Sequence, residues 1–149
     1  MTKYIFDTNI TSILGRDDKV SNDLLDRLSE LSDEDIISVS VLTLYESNYG
    51  LKNCTSDLQK QEITNNINFI KKYFDVIPLD LKEMDIFANL KVAYKNHTGI
   101  SRKDAKKNDI DLLIASSAIA ENAILISNDK IFETLCELDV NLKYENWLK

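Results

Sequence analysis

The chain has 149 residues, of which 44% are hydrophobic and 29% charged, so we expect a single globular domain over residues 1–149 with one buried core. No apolar run approaches the roughly 20 residues needed to cross a bilayer, and no signal-peptide pattern opens the chain, so we expect a cytoplasmic protein without a membrane partner. The formal net charge of −7 argues against a nucleic-acid partner unless positive charge is concentrated locally.

The first half of the chain alternates β-rich and helical patterns. Short β-rich runs predict strands at residues 3–6, 36–40 and 74–77, and Pro78 stops the third. Apolar residues that recur every three or four positions predict helices between these strands. Those helical patterns cover residues 10–14, 20–31, 41–51 and 58–70.

The second half continues the alternation. An amphipathic pattern over residues 81–94 predicts a helix closed near Gly99, and residues 112–119 form an almost wholly apolar helix. Residues 123–127 predict a buried strand, and residues 141–144 a short edge strand. Strands that alternate with helices indicate an α/β fold, a three-layer α/β/α sandwich around a central, mainly parallel sheet.

Acidic residues follow three of the predicted strands. Asp7 ends the first strand, Asp129 comes two residues after the buried strand, and Glu46 lies about a turn and a half into the helix that follows residues 36–40. Ligands of parallel α/β sheets bind beyond the carboxyl ends of the strands. We therefore expect these three carboxylates to lie near one another.

Each of these acids also has a structural interpretation. Asp7 and Asp129 are placed to cap the short helices that follow them. Thr43 and Glu46 have the spacing of a capping box, in which the two residues close a helix start. Both interpretations remain open at this point, because none of the three signals is specific by itself.

Asp111 is harder to explain structurally. It precedes the apolar helix, and a carboxylate on a helix that is packed all round is costly unless it is paired or binds a metal. Asp109 points to a different side and is expected to serve the helix N-terminus, where Asn108 is a candidate N-cap.

Four carboxylates in one pocket require a cation, because two of them about 4 Å apart repel by roughly 4 kcal/mol at an effective dielectric constant near 20. Oxygen ligands favour Mg²⁺, with Mn²⁺ as a plausible substitute, and the single histidine, His97, excludes a His-rich metal centre. A bound cation orients and deprotonates water and polarises a phosphodiester. The expected metal-binding and catalytic residues are Asp7, Glu46, Asp111 and Asp129, supported by Thr8, Asn9 and Ser127.

A basic segment precedes this site. Residues 91–107 carry six lysines and arginines against one acid, Asp104, although the rest of the chain is acidic. The segment is either a solvated loop or an RNA-binding surface, because cations contact phosphates. The expected RNA-binding residues are Arg102, Lys103, Lys106 and Lys107.

Several segments resemble the motifs of PIN-domain ribonucleases, in particular the VapC-type toxins of type II toxin–antitoxin pairs. The resemblance extends over essentially the whole chain, and its strength lies in four motifs in the right order. Two features depart from the family pattern: Asp109 adds an acid beside Asp111, and residues 106–108 replace the usual glycine and proline. The motifs are Phe6-Asp7-Thr8-Asn9, residues 40–46 followed by Tyr49-Gly50, residues 111–115, Ser127-Asn128-Asp129 followed by Phe132, and the C-terminal residues 142–147.

The resemblance implies a metal-dependent endoribonuclease that cleaves tRNA or ribosomal RNA. It also implies a homodimer that is neutralised by a cognate antitoxin whose tail enters the active site. Two alternatives stay open. The first is a non-catalytic domain of the same fold that binds RNA or protein. The second is a phosphatase with Asp7 as nucleophile, for which position 9 should be an acid rather than Asn9.

Overall fold

A five-stranded parallel sheet forms the centre of the protein. The computed structural model describes residues 1–16 and 21–148. Every neighbouring pair of strands is parallel, and the spatial order is β3-β2-β1-β4-β5. The chain therefore starts in the middle strand and builds outward on both sides. The strands are β1 (Lys3–Phe6), β2 (Ile36–Ser40), β3 (Asp75–Ile77), β4 (Ile124–Ile126) and β5 (Lys143–Glu145).

Helices connect the strands, as parallel pairing requires. None of the helices in the described part of the chain has both the length and the apolar character needed to cross a membrane. A short 3-10 helix, Ala105–Asn108, leads into the sixth α-helix. The α-helices are α1 (Thr8–Leu14), α2 (Asn22–Ser29), α3 (Val41–Asn53), α4 (Asp57–Tyr73), α5 (Leu81–Thr98), α6 (Asp109–Ala120) and α7 (Ile131–Leu138).

Each face of the sheet is covered by its own apolar cluster. Ile5 and Leu125 point to one face, where they pack with buried side chains of α5, α6 and α7. Phe6 and Ile126, the next residues along the same strands, point to the other face and pack against α1, α2 and α4 together with Trp147. Alternation along the strands thus produces two cores, and the predicted three-layer sandwich is confirmed.

The element boundaries differ from the sequence-based ones where a neighbouring element competes for the same residues. Phe74 was expected in a strand, but its amide bonds to the Ile70 carbonyl and it ends α4, so β3 begins at Asp75. The last strand lies at Lys143–Glu145 rather than residues 141–144, because Asp139 and Asn141 form a turn before it. Val20, expected in the second helix, lies outside the described residues.

Two smaller expectations were only partly right. The helix over 81–94 was expected to bury one apolar face, yet Leu81 and Met84 at its start are exposed; only from Phe87 onward does α5 pack on the sheet cluster. Cys54 and Cys136 stand alone, without a CxxC or Cys/His pattern, which predicts buried free thiols; both are free, but they are half-buried rather than fully buried. Gly99 closes α5 as predicted, with a left-handed φ of 67° that favours glycine.

Candidate active site

The four predicted acids lie at the carboxyl edge of the sheet. Asp7 directly follows β1, Asp129 follows β4, Glu46 lies in α3 beyond β2, and Asp111 lies in the first turn of α6. Asp111 is close enough to the other three for each of them to raise its pKa by charge repulsion. The topology therefore brings together the residues that the sequence analysis had selected.

Asp7 is the most buried of the four, with only 5% of its surface exposed. Burial raises its pKa, the hydrogen bonds from Ser127 and the Thr8 amide oppose the shift, and the charges of Glu46 and Asp129 add to it, so that the pKa is about 6. Asp7 is the N-cap residue of α1, but its side chain makes no capping hydrogen bond. The interpretation of Asp7 as a helix-capping side chain is therefore not supported.

The hydroxyl of Ser127 holds this part of the site together. It donates to Asp7 Oδ2 at 2.9 Å and accepts from Asn9 Nδ2 at 3.2 Å and from the Asp129 amide at 3.1 Å. A hydroxyl has one donor and two acceptor positions, so every hydrogen-bonding position of Ser127 is in use. Ser127 thus orients Asp7, and Asn9 in turn orients Ser127.

Glu46 is held in the same way by Thr8. The Thr8 hydroxyl donates to Glu46 Oε1 at 2.7 Å and lies 3.2 Å from the Thr43 hydroxyl, which is then the donor to Thr8 because a hydroxyl has a single proton. The capping-box interpretation of Thr43 and Glu46 is wrong. The N-cap of α3 is Ser40, which accepts from the Leu42 amide, and Thr43 already lies inside the helix.

Asp111 carries the least compensated charge of the group. Its carboxylate has no hydrogen bond or ion pair with any described residue, and burial followed by repulsion from Asp7, Asp129 and Glu46 raises its pKa to about 7. The helix that carries it is packed on nearly all sides, as predicted, with residues 114–118 all buried. No described residue therefore offsets the free-energy cost of burying this charged carboxylate.

Asp109 behaves differently from Asp111 although it lies only two residues away. Its Oδ1 forms an ion pair with Lys91 Nζ at 2.8 Å, so its charge is neutralised by α5. Asn108 is the N-cap position of α6, as predicted, but its side chain makes no capping hydrogen bond. The assignment of Asp111 rather than Asp109 to the acidic group is thus supported by the pairing of Asp109.

Asp129 is the most exposed acid of the four, and its structural interpretation has support. Its Oδ1 accepts from the Ile131 amide at 3.2 Å at the start of α7. Its other oxygen makes no hydrogen bond to the described residues. Asp129 is therefore anchored by one oxygen and can contribute the other to a ligand.

The donor set fits a hard divalent cation. Its four carboxylates share one electrostatic neighbourhood, in which burial first and then mutual repulsion raise the pKa values of Asp7 and Asp111. Within the described residues, however, no three acidic, histidine or cysteine side chains stand close enough together to enclose a metal ion. The four predicted ligands therefore do not enclose a metal ion as they are placed here, and a bound cation would take some of its ligands from water or substrate, as Mg²⁺ commonly does.

The basic segment remains available only in part. Arg102, Lys103 and Lys106 are exposed and form no ion pair with the described residues. Lys107 is also exposed, but its Nζ forms an ion pair with Oδ1 of Asp104 at 3.2 Å. The free cations lie on the loop and 3-10 helix that lead directly into Asp109 and Asp111.

Sequence reasoning missed a cavity of about 570 Å³ beside the acids. It lies between α1, α3 and α4 and touches the acidic group only through Thr8 and Glu46. The signal that was available is the Asn65-Asn66 pair, an unusual choice within a helix. Among the described residues its lining consists of Thr8, Ser12, Gly15, Arg16, Glu46, Ser47, Gly50, Glu62, Ile63, Asn65 and Asn66.

Sequence reasoning also missed Tyr144 on β5. Its hydroxyl donates to the Ser127 carbonyl oxygen at 3.0 Å, and burial raises its pKa. Tyr144 thereby ties the edge strand to the loop that carries Ser127 and Asp129.

The phosphatase alternative loses support at Asn9. An aspartyl phosphatase would need an acid at this position, whereas the Asn9 side chain donates a hydrogen bond to Ser127.

Known proteins are similar to this chain in sequence and in fold. The chain is 29% identical over 147 residues to Ribonuclease VapC2 of Rickettsia felis, a match that covers 98% of both proteins. A chain in the structure of VapBC2 from the same organism, bound to a DNA fragment from their promoter, superposes with a TM-score of 0.75 at 25% identity and covers 98% of this chain and 99% of that one.

More distant solved structures share the fold. VapBC-1 from nontypeable Haemophilus influenzae superposes with a TM-score of 0.74 at 20% identity, covering 99% of this chain and all of the matched one. FitAcB from Neisseria gonorrhoeae also gives 0.74, at 19% identity, and covers 97% and 98% of the two chains. The PIN domain family model matches residues 4–138, from β1 to the end of α7. This chain, with its parallel sheet and the acids at the carboxyl edge, belongs to the PIN domain family.

Proposed function

We propose that residues 1–149 form a single divalent-metal-dependent endoribonuclease domain, the toxin of a toxin–antitoxin pair. The observation that carries the proposal is the uncompensated Asp111 carboxylate, surrounded by Asp7, Glu46 and Asp129. A fold gains nothing from four neighbouring acids without a cation, whereas phosphodiester hydrolysis uses the metal that such acids bind. The name of the Rickettsia felis relative, a ribonuclease, supports the same activity.

Asp7, Glu46, Asp111 and Asp129 would hold Mg²⁺ or Mn²⁺. When bound, the ion supplies an activated water and stabilises charge on the phosphate. Ser127 keeps Asp7 Oδ2 in place, and Thr8 does the same for Glu46 Oε1. These hydrogen bonds fix which carboxylate oxygens remain free, and that is the usual work of side chains around a metal.

The raised pKa values of Asp7 and Asp111 describe how the carboxylates carry their charge before a cation binds. Near neutral pH, Asp111, with a pKa of about 7, holds a proton for part of the time, and Asp7, with a pKa of about 6, does so less often. Ligands must lose their protons to bind a cation, so binding releases protons and strengthens as the pH rises.

The substrate we propose is RNA, with tRNA or ribosomal RNA as the expected targets in the cytoplasm. Arg102, Lys103 and Lys106 present exposed positive charge on the segment that leads to Asp111, and they suit phosphate contacts. The partner we propose is a cognate antitoxin, because the resemblance to VapC-type toxins implies one and the similar Rickettsia felis chain was solved as part of VapBC2. A homodimer is part of the same proposal.

The experiment is cleavage of total tRNA and ribosomal RNA by the purified protein with Mg²⁺ or Mn²⁺. We expect discrete fragments that disappear with EDTA and with Asp7→Asn. Asp109→Asn is the matched control, because Asp109 is paired with Lys91, and it should cleave like the wild type. Cleavage that persists in both EDTA and Asp7→Asn would contradict the proposal.

A second candidate is a non-catalytic PIN-fold module that binds RNA or protein. The observation in its favour is that no three acids within the described residues stand at metal-coordinating separation. Thermal denaturation distinguishes the two, because a cation at 100 times its dissociation constant stabilises the folded state by about 2.7 kcal/mol. A rise in melting temperature with millimolar Mg²⁺ or Mn²⁺ supports the nuclease, and no rise supports the module.

A further inference from the structure

The cavity between α1, α3 and α4 has a polar lining that the acidic site does not use. We propose that it binds the base of an unpaired nucleotide next to the phosphate that is cleaved, and so selects where RNA is cut. The inference rests on the proposed ribonuclease function. It adds a specificity pocket whose lining includes Ser47, Asn65 and Asn66.

The cavity and the acidic site share a wall. Thr8 and Glu46 line the cavity, and the hydrogen bond between them, 2.7 Å long, belongs to the acidic site as well. A nucleotide whose phosphate lies at the acids therefore has its base within reach of the cavity. The volume of about 570 Å³ lies within the range of roughly 300–1,000 Å³ that small-molecule pockets have.

The lining offers the hydrogen-bonding groups that read a base edge. Asn65 makes no hydrogen bond to any described residue, so its amide has a donor and an acceptor available. Asn66 Nδ2 donates to the Thr11 carbonyl oxygen at 3.0 Å, which fixes the orientation of that amide and leaves its oxygen as an acceptor. Ser12 and Ser47 add hydroxyls. An unpaired RNA base is recognised by hydrogen bonds of this kind.

The charges of the lining favour a neutral group over a phosphate. The Arg16 guanidinium lies 4.0 Å from Glu62 Oε2, so the charges of these two side chains cancel. Among the described residues, Glu46 then leaves the lining with a net charge of −1, which repels an anion. An uncharged base fits both this balance and the amide groups.

Gly50 keeps one wall of the cavity open. It lies inside α3, where glycine is a poor helix former, yet a Cβ atom at this position would meet no atom within 4 Å. Packing within the fold therefore does not explain the glycine. Gly15 on the opposite wall contrasts with it, because a Cβ there would come within 2.1 Å of Asn66 Nδ2 and displace that amide.

The first test is the sequence preference of cleavage. Total RNA is cut with Mn²⁺ by the wild type, Asn65→Ala, Gly50→Leu and the matched control Asn68→Ala, and the fragment ends are sequenced. Asn68 lies on the same helix, is exposed and is absent from the cavity lining. We expect Asn65→Ala to reduce the preference for one base beside the cut by about three- to tenfold, the effect of one hydrogen bond.

Gly50→Leu places a side chain in the cavity and should abolish the preference. Because leucine is the better helix former, the melting temperature of this variant should not fall, so a lost preference is not a folding defect. Asn68→Ala should cut as the wild type does. An unchanged preference in both Asn65→Ala and Gly50→Leu would overturn the proposal.

A second test needs no catalytic activity. Adenosine, guanosine, cytidine and uridine are titrated separately into ¹⁵N-labelled protein, and the side-chain amide signals of Asn65, Asn66 and Asn68 are followed by NMR. Saturable shifts of Asn65 and Asn66 but not Asn68, lost in Gly50→Leu, support the pocket even if the protein proves not to be a nuclease. No shift of Asn65 or Asn66 with any of the four nucleosides overturns it.

Discussion

Aspartates at the two edges of the sheet have pKa values shifted in opposite directions. At the amino edge, Asp35 accepts hydrogen bonds from the Thr2 and Ser32 amides, and these hold its pKa below the usual value. At the carboxyl edge, burial and repulsion raise the pKa of Asp7 to about 6 and that of Asp111 to about 7. The same residue type is therefore stabilising at one edge and costly at the other.

The ion pairs repeat this difference. Glu121, just before β4, contacts both Lys82 and Lys3 at the amino edge. Asp111 has no such cation among the described residues, although the paired Asp109 lies only two positions away. The protein thus neutralises Glu121 at the amino edge and leaves Asp111 unneutralised at the carboxyl edge, which is the property expected of a site that requires a ligand.

Asp7→Asn and Asp35→Asn should give the largest effects, and these should be opposite in direction for stability. Asp7→Asn removes the proposed metal ligand and should lower RNA cleavage by about 100-fold or more, at least the upper end of what loss of an outer-sphere partner costs. The same change should raise stability at pH 7 on the order of 2 kcal/mol, because a buried charge disappears. Asp35→Asn should do the reverse, with a lower melting temperature and unchanged cleavage. Melting temperatures and cleavage rates measured on both variants test these predictions. A change of melting temperature in the same direction for both variants would refute the contrast between the two edges.

Ser127→Ala should have the next largest effect. The Ser127 hydrogen bond lowers the pKa of Asp7, so its loss should raise that pKa above about 6 and move the pH–rate profile to higher pH. We expect metal affinity to fall by about 10- to 100-fold. Calorimetric Mn²⁺ titration and a pH–rate profile measure these changes. Ser127 would have only a packing role if the profile stayed where it is in the wild type.

The metal-free protein should lose stability as the pH rises from about 4 to 7. The carboxylates of Asp7 and Asp111 have pKa values that are raised in the folded state, so their favourable contribution is complete below pH 4 and disappears as the pH passes 6 and 7. For the buried Asp7 the loss is at most about 3 kcal/mol. Chemical denaturation in EDTA measures it. A stability that rises through this interval would show that other groups dominate.

The smallest expected effect concerns the basic segment. Replacing Arg102, Lys103 and Lys106 by glutamine should weaken RNA binding and reduce the salt slope by about 0.7 for each phosphate of a single strand that is no longer neutralised. Lys95→Gln is the matched control, because Lys95 belongs to the same basic segment and is exposed but lies on α5, outside the loop and 3-10 helix that carry the other three cations. Filter binding at several salt concentrations measures the slope, and an unchanged slope would favour the interpretation of the segment as a solvated loop.

Much of the fold could be predicted because its signals are local. Strand β1 and strand β2 lie at the predicted residues, since short β-rich runs bounded by polar residues leave few alternatives. The ends of β3 and β5 were displaced because hydrogen bonds at Phe74 and Asp139 favour a helix end and a turn. Such bonds depend on the chain before and after the strand and are not visible in its own composition.

The acids of the site were predictable because topology gathers the ends of parallel strands. Their supporting contacts were less so. The Thr8–Glu46 bond joins residues 38 positions apart, and the Lys91–Asp109 pair joins two helices. The cavity was missed because it depends on how α4 packs across α1 and α3. Asn65 has meaning only once that packing is known.

Direct cation binding by wild type, Asp111→Asn and Asp109→Asn tests the central claim, that the carboxyl edge is short of one cation. Each protein is freed of metal with EDTA, dialysed and titrated with Mn²⁺ by calorimetry at pH 7.5, and the RNA is left out. We expect the wild type to bind, Asp111→Asn to bind at least about tenfold more weakly, and Asp109→Asn to match the wild type. Equal affinities for all three proteins, or no binding by the wild type, would contradict the account.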